Sequence, residues 1–135
     1  MKHWMLSVCL FCVALFAMEC SSTELRGVED VATRFLGVPY VAGTLEVDGE
    51  ERLIVDTTRL DCTTFVETVL ALCIADKRGE QTYGSFKKAL ADVRYRDGVL
   101  DGYASRLHYF SDWIADNERM GVIEERTPLL SAEKQ

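Results

Sequence analysis

Apolar side chains recur at helical spacing in four stretches of the chain and cluster at strand-like spacing in two shorter ones. From Glu24 to Leu36 the stripe runs through Val28, Val31, Ala32, Phe35 and Leu36. Gly37 closes this helix, and Pro39, which has no amide hydrogen, forbids its continuation. Tyr40 to Val47 and Arg52 to Val55 are β-prone runs separated by Asp48-Gly49, a pair that tolerates the left-handed backbone of a tight turn, so a two-stranded hairpin is expected. The strongest helix signal covers Asp61 to Ala75, with Cys62, Phe65, Val66, Val69, Leu72 and Cys73 on one face. Thr64 and Glu67 have capping-box spacing, and Asp61 and Thr63 are further candidates for the cap. A shorter helix is expected over Tyr83 to Val93, followed by an irregular stretch rich in turn residues, Arg94-Tyr95-Arg96-Asp97-Gly98 and Asp101-Gly102. Ser105 is a candidate cap for a last helix, Arg106 to Glu118, with Leu107, Phe110, Trp113 and Ile114 inward. Gly121 stops that helix, Val122-Ile123 is a candidate strand start, and Pro128 to Gln135 reads as a polar tail.

The pattern thus describes an α+β chain, rich in helix and with one β-hairpin. A lone hairpin is marginal in water unless helices or more strands cover it. Periodicity leaves both readings open: the helices provide the cover, or further sheet belongs to the fold.

Ahead of this lies Met5 to Met18, an unbroken run of apolar or small residues behind Lys2 and His3. It is shorter than the roughly 20 residues a membrane-spanning helix requires and has the length of a secretory signal core. Residues 1–22 are therefore expected to be a signal peptide and 23–135 the exported domain, destined for the periplasm or cell envelope without a further transmembrane span. The stretch before Cys20 is similar to a lipoprotein processing site, although Glu19 stands where such sites carry a small residue. A lipid anchor at Cys20 and simple cleavage nearby both stay open. An apolar share of 48% with 27% charged residues excludes disordered, collagen-like and coiled-coil classes. The net charge of −7, with no Lys/Arg stripe, argues against nucleic-acid binding.

Cys9, Cys12 and Cys20 belong to the leader or its border, leaving Cys62 and Cys73 in the exported part. Eleven residues apart on one helix they stand about 16 Å from each other, beyond the roughly 7 Å that a disulfide bridges. Two free thiols in an oxidising compartment call for a reason. At the first turn of its helix, Cys62 sits among unpaired backbone N–H groups at the positive end of the dipole. Such a setting favours thiolate, the nucleophilic form, and offers donors to a developing oxyanion. A thiol nucleophile also needs a base, normally a histidine oriented by a third group. His108 is the one histidine outside the leader, and Asp112 stands four residues beyond it. The blander alternatives are a small buried cysteine on the helix stripe and a histidine packed among Tyr109, Phe110 and Trp113. Cys73, in mid-helix, reads as core. One histidine, two distant cysteines and scattered carboxylates give no metal-ligand spacing, and the isolated Gly37, Gly43 and Gly49 form no phosphate loop; no cofactor is expected.

Two segments, Gly37-Val38-Pro39-Tyr40-Val41-Ala42-Gly43-Thr44-Leu45 and Leu60-Asp61-Cys62-Thr63-Thr64-Phe65-Val66-Glu67, together with Arg94-Tyr95-Arg96-Asp97-Gly98 and the stretch from Ser105 to Trp113, resemble a bacterial envelope family described as N-acetylmuramoyl-L-alanine amidase-like. That family belongs with the NlpC-type, papain-like cysteine peptidases, and the resemblance extends over roughly residues 25 to 127. It implies hydrolysis of an amide in or beside the peptidoglycan stem peptide, with Cys62 as nucleophile and Tyr40, Asp61 and Thr63 binding the peptide's polar end. In the family the base is a histidine on a strand of a following sheet, in a segment reading like His-Val-Gly, which this sequence lacks. His108 matches the family's His-Tyr-Phe stretch instead. The resemblance therefore implies the N-terminal, helix-rich portion of a papain-like fold with its core sheet missing: a truncated member with weak or no activity alone. The alternatives are an active cysteine amidase with His108 as base, or a non-catalytic envelope protein that binds cell-wall peptides.

Overall fold

The computed structural model describes residues 23–124, so the leader, Cys20 and the tail from Pro128 lie outside the described residues. The chain divides into two compact units at the Leu36/Gly37 boundary. In the first, helix α1 spans Thr23–Thr33. The expected helix to Leu36 tightens after Thr33 into three-residue turns, with amide bonds from Arg34, Phe35 and Leu36 to the carbonyls of Val31, Ala32 and Thr33. Val28 and Leu36, both on the expected stripe, are exposed.

The second unit contains α2 (Cys62–Lys77), α3 (Tyr83–Arg94), two single-turn 3-10 segments (Arg96–Gly98 and Tyr103–Ser105) and α4 (Phe110–Arg119). Helices α2 and α3 pack against each other around Ala71, Phe86, Ala89, Leu90 and Val93. Ala71 and Ala89 are fully buried; their small side chains let the two backbones approach closely. Leu53, Val55, Leu72, Ile74 and Val122 close over this core.

Each helix starts and stops for a local reason. Thr82 and Ser85 form a reciprocal capping box at the start of α3. Helix α2 ends in a Schellman motif: Gly79, at φ +72°, donates to Asp76, and Glu80 donates to Ala75. Gly121, at φ +71°, closes α4 the same way, with bonds from Gly121 to Glu118 and from Val122 to Asn117.

The expected β-hairpin is not formed, and among the described residues there is no strand. Two isolated bridges, Tyr40 with Leu60 and Tyr95 with Arg106, are all that remains of the sheet character. The reason lies in where the backbone bonds go. Gly43, at φ +73°, folds the first run into a turn closed by the Glu46 amide on the Gly43 carbonyl. Residues 39–41 then pair with Leu60 through Leu60 N–H to Pro39 O (3.1 Å) and Val41 N–H to Leu60 O (3.0 Å). The second run pairs with no strand, and its carbonyls are taken by side chains: Arg94 Nη1 donates to Ile54 O (2.5 Å) and Tyr95 Oη to Arg52 O (3.2 Å). The described part of the protein is helical rather than α+β, and Val122-Ile123 likewise starts no strand.

Two further expectations shift. The last helix begins at Phe110 rather than Arg106, because the Leu107 amide is drawn to the Arg94 carbonyl and Ser105 Oγ closes the preceding turn onto Gly102 O and Asp101 N–H. On α2 the deeply buried face is Thr64, Glu67, Thr68, Ala71 and Ala75 rather than the expected apolar stripe, of which only Val69 is fully buried. The helix is apolar nearly all round, so its stripe does not select a face; close approach to α3 and the partner of Glu67 do.

That partner is Arg94, whose Nε donates to Glu67 Oε2 at 2.8 Å with both side chains at most 3% exposed. Burial pushes the Glu67 carboxyl above its ordinary value, while Arg94 pulls it back. The Trp113 indole N–H faces the same carboxylate outside hydrogen-bond geometry. Helix α4 is fastened by polar contacts as well: Asn117 Nδ2 donates to Val93 O and Trp113 O, both at 2.9 Å. Removing Glu67 leaves a buried guanidinium that cannot shed its charge. Glu67→Ala should therefore cost about 3–5 kcal/mol in urea unfolding, and Glu67→Gln, which keeps an acceptor, distinctly less. A loss under about 1 kcal/mol for Glu67→Ala would contradict the tie between α2 and α3 described above.

Candidate active site

Cys62 is the first residue of α2, and Asp61 is its N-cap. The cap is reciprocal: Thr64 N–H donates to Asp61 Oδ1 (2.8 Å) and Asp61 N–H donates to Thr64 Oγ1 (2.9 Å). The capping box thus starts at Asp61, three residues earlier than the Thr64–Glu67 spacing suggests, which frees Glu67 for the core. The Phe65 amide returns to Asp61 O (2.9 Å). Helix geometry leaves the N–H groups of Cys62 and Thr63 without an intrahelical acceptor. The Cys62 thiol is exposed, with Sγ 4.0 Å from Thr63 Oγ1, so it is not a small core residue. Cys73 is half-buried and, like Cys62, is in no disulfide among the described residues.

The segment leading into Cys62 is anchored twice. Leu60 is buried and clasped by residues 39–41, which sets Tyr40 beside it with an exposed ring. Upstream, Asp56 accepts from the hydroxyl (2.7 Å) and amide (2.8 Å) of Thr58 and from Arg59 Nη2 (2.9 Å). These bonds, the Thr58 hydroxyl foremost, hold the Asp56 carboxyl down at about 2.

A cleft of about 150 Å³ opens beside the helix start. Asp61, Thr63, Thr64 and Glu67 form one wall, Arg106, Leu107 and His108 the other, and Gly43, Leu45 and Glu46 the lip. Asp61, Thr63 and His108 therefore meet in one cleft, while Cys62 and Tyr40 flank it in sequence without lining it. Cys62 and His108 share no hydrogen bond. His108 Nε2 lies 2.8 Å from Tyr103 O, and its ring meets the Tyr103 ring at a tilt of 37° with 4.2 Å between centres. A carbonyl only accepts, so Nε2 carries the hydrogen in this contact. Asp112, the expected orienting group, pairs with Arg96 at 3.6 Å instead.

Periodicity gave no warning of the charged groups behind these walls. Arg106 Nη2 donates to Glu46 Oε1 (2.9 Å), and its Nε lies 3.2 Å from Glu51 Oε1. Glu51 in turn accepts from the fully buried Tyr95 hydroxyl (2.9 Å). Burial and Glu51 together push the Tyr95 phenol upward. The only hint in the sequence is the density of Arg and Tyr between residues 94 and 106, most of it in the stretch expected to be irregular and rich in turn residues.

Residues 30–134 match the model of the AmiA-like family, described as N-acetylmuramoyl-L-alanine amidase-like, and the chain belongs to that family. It is similar to the crystal structure of an N-acetylmuramoyl-L-alanine amidase from Bacteroides uniformis ATCC 8492 (44% identity, 70% of this chain, 40% of that one, TM-score 0.64). It is also similar to a Bacteroides fragilis structure carrying a provisional xylanase description (47% identity, 74% and 43%, TM-score 0.68). A Legionella pneumophila protein matches at 25% identity over 77% of this chain and 34% of its own, with TM-score 0.59. The chain spans about two fifths of the length of the two Bacteroides proteins. No curated protein matches the sequence.

Two tests address the helix start. Asp61→Ala removes the cap and should cost about 1 kcal/mol of stability with faster exchange of the Thr64 amide; unchanged exchange would contradict the box. Asp56 has a depressed native value, so its contribution to stability is complete above the unfolded carboxylate value of about 4. It is lost as pH falls toward the native value of about 2. Carboxyl carbon NMR should find that midpoint, and Thr58→Val should raise it.

Proposed function

We propose that this chain carries the nucleophile and part of the substrate cleft of an NlpC-type, papain-like cysteine hydrolase acting on an amide in or beside the peptidoglycan stem peptide. The observation that carries the proposal is the exposed Cys62 thiol on the first residue of α2, beside a polar cleft, in a member of the amidase-like family. The Cys62 thiolate attacks the amide carbonyl, and the N–H groups of Cys62 and Thr63 hold the oxyanion that forms. Collapse breaks the C–N bond; the amine leaves with a proton, and the acyl group stays on sulfur as a thioester. Water then cleaves the thioester, releasing the carboxylic acid and restoring the thiol. Tyr40, Asp61 and Thr63 hold the polar end of the peptide. A substrate in the cell wall agrees with export through residues 1–22, and lipidation of Cys20 would keep the domain at the envelope.

The base is the weak point. His108 is the only histidine among the described residues, and its Nε2 is engaged by Tyr103 O. Weak or absent turnover is therefore the expectation for the chain by itself, with the base coming from outside residues 23–124 or from a second chain. The alternative, His108 as base, is favoured by its place in the same cleft as Asp61 and Thr63 and needs its 2.8 Å bond to Tyr103 O to break.

Muropeptide hydrolysis and iodoacetamide labelling of the purified chain test both. Cys62 should alkylate faster than a free exposed thiol, turnover should be slow or undetectable, and Cys62→Ala should remove whatever turnover exists. Robust hydrolysis lost in both Cys62→Ala and His108→Ala would make His108 the base. Labelling no faster than a free thiol would overturn the role of Cys62.

A further inference from the structure

Among the residues lining the cleft, Arg106 is the only lysine or arginine. Its side chain is 7% exposed, with the guanidinium 5.0 Å from the centre of the Tyr103 ring. Two carboxylates neutralise it, and they differ in kind. Glu51 is 8% exposed and tied to the Tyr95 hydroxyl, so it is a fixed part of the fold. Glu46 is 58% exposed and sits on the lip of the cleft, where it reaches Arg106 Nη2 at 2.9 Å and the Tyr103 hydroxyl at 3.5 Å. Arg106 Nε, although 3.2 Å from Glu51, is buried outside hydrogen-bond geometry and has no hydrogen-bond partner.

A buried guanidinium without a counter-charge is costly, whereas an ion pair to an exposed carboxylate on a loop contributes little. One of the two counter-ions is therefore replaceable, provided that another carboxylate arrives in its place. We infer that Arg106 recognises a carboxylate of the bound peptide, and that Glu46 is an internal stand-in which the ligand displaces from Nη2. Exchanging one carboxylate for another keeps the local charge constant. A phosphate dianion would add negative charge beside Asp61 and Glu67, so the site favours a carboxylate. The planar donor geometry of arginine also suits carboxylate oxygens. This inference rests on the cleft being the peptide site proposed above, and it narrows the substrate to peptides carrying a free carboxylate that reaches Arg106.

The test uses the full chain with Cys62→Ala, so that binding is read without turnover. The probes are N-acetyl-alanyl-glutamate, its diamide and its two monoamides. Calorimetry or NMR shifts of His108 should show the diacid binding about tenfold more tightly than the diamide. Glu46→Gln should tighten the diacid about fivefold, as expected if Glu46 fills the site roughly four-fifths of the time, and leave the diamide unchanged. Arg106→Lys keeps the charge but loses the fork, and should erase the preference for the diacid. The monoamide that keeps the preference identifies the terminal or the side-chain carboxylate as the group recognised. Equal effects of Glu46→Gln on diacid and diamide, or no effect on either, would overturn the inference. So would inorganic phosphate competing as strongly as the diacid. The two proposals fail separately: an inert Cys62 leaves the diacid preference readable, and Cys62-dependent turnover without that preference removes only the role of Arg106.

Discussion

Arg94 stands at the C-terminal end of α3, and its guanidinium and backbone carbonyl together hold three parts of the second unit in place. Nε is bound to Glu67 on α2, Nη1 to the Ile54 carbonyl of the second β-prone run, and the residue's own carbonyl receives the Leu107 amide. The first bond fixes which face of α2 turns inward. The second keeps residues 52–55 single-stranded over the helical core. The third starts the segment that carries Arg106 and His108 into the cleft. Charge burial of this kind is expensive, and the raised carboxyl of Glu67 records that expense. What it secures is geometry: the wall that holds Asp61 and Thr63 and the wall that holds Arg106 are both referenced to the same residue, one through its guanidinium and one through its carbonyl.

That arrangement also explains which features were legible in the sequence. Helix existence was, because caps and stops are local: Asp61, Thr82, Gly79 and Gly121 act on their immediate neighbours. The position of Cys62 at a helix start followed from the same local chemistry. The face of α2 did not, because Phe65, Val66, Leu72 and Cys73 compete on equal terms with the side that is actually buried, and the decision falls to a charge 27 residues away. The hairpin failed for a related reason. Alternation and a turn dipeptide describe a segment's propensity, whereas the carbonyls of Arg52 and Ile54 were claimed by Tyr95 and Arg94, side chains from a stretch that reads as loop. Of the candidate site, Asp61, Thr63 and His108 share the cleft; Glu46, Glu51, Glu67 and Arg106, which set its charge, carried no local signature.

The cleft is accordingly polar, and two of the three carboxylates that line it have a guanidinium partner, while Asp61 caps α2. Its acidic side chains do not form a bare negative patch, since Glu67 faces Arg94 while Glu46 and Glu51 face Arg106. On the function proposed above, an entering peptide would exchange partners with groups already in place, and the geometry of those exchanges would select the ligand more than net attraction.

The cap at the start of α2 has a further meaning for selectivity. An uncapped helix end presents a crown of N–H groups that suits a tetrahedral oxyanion such as phosphate. Asp61 withdraws the Thr64 N–H from that crown. The remaining pair, on Cys62 and Thr63, forms a two-pronged donor sized for a single oxygen. If Cys62 attacks a carbonyl as proposed, the residue before the thiol, by subtracting one donor and adding a negative charge beside it, would disfavour free inorganic anions yet leave donors for the lone oxygen of that carbonyl.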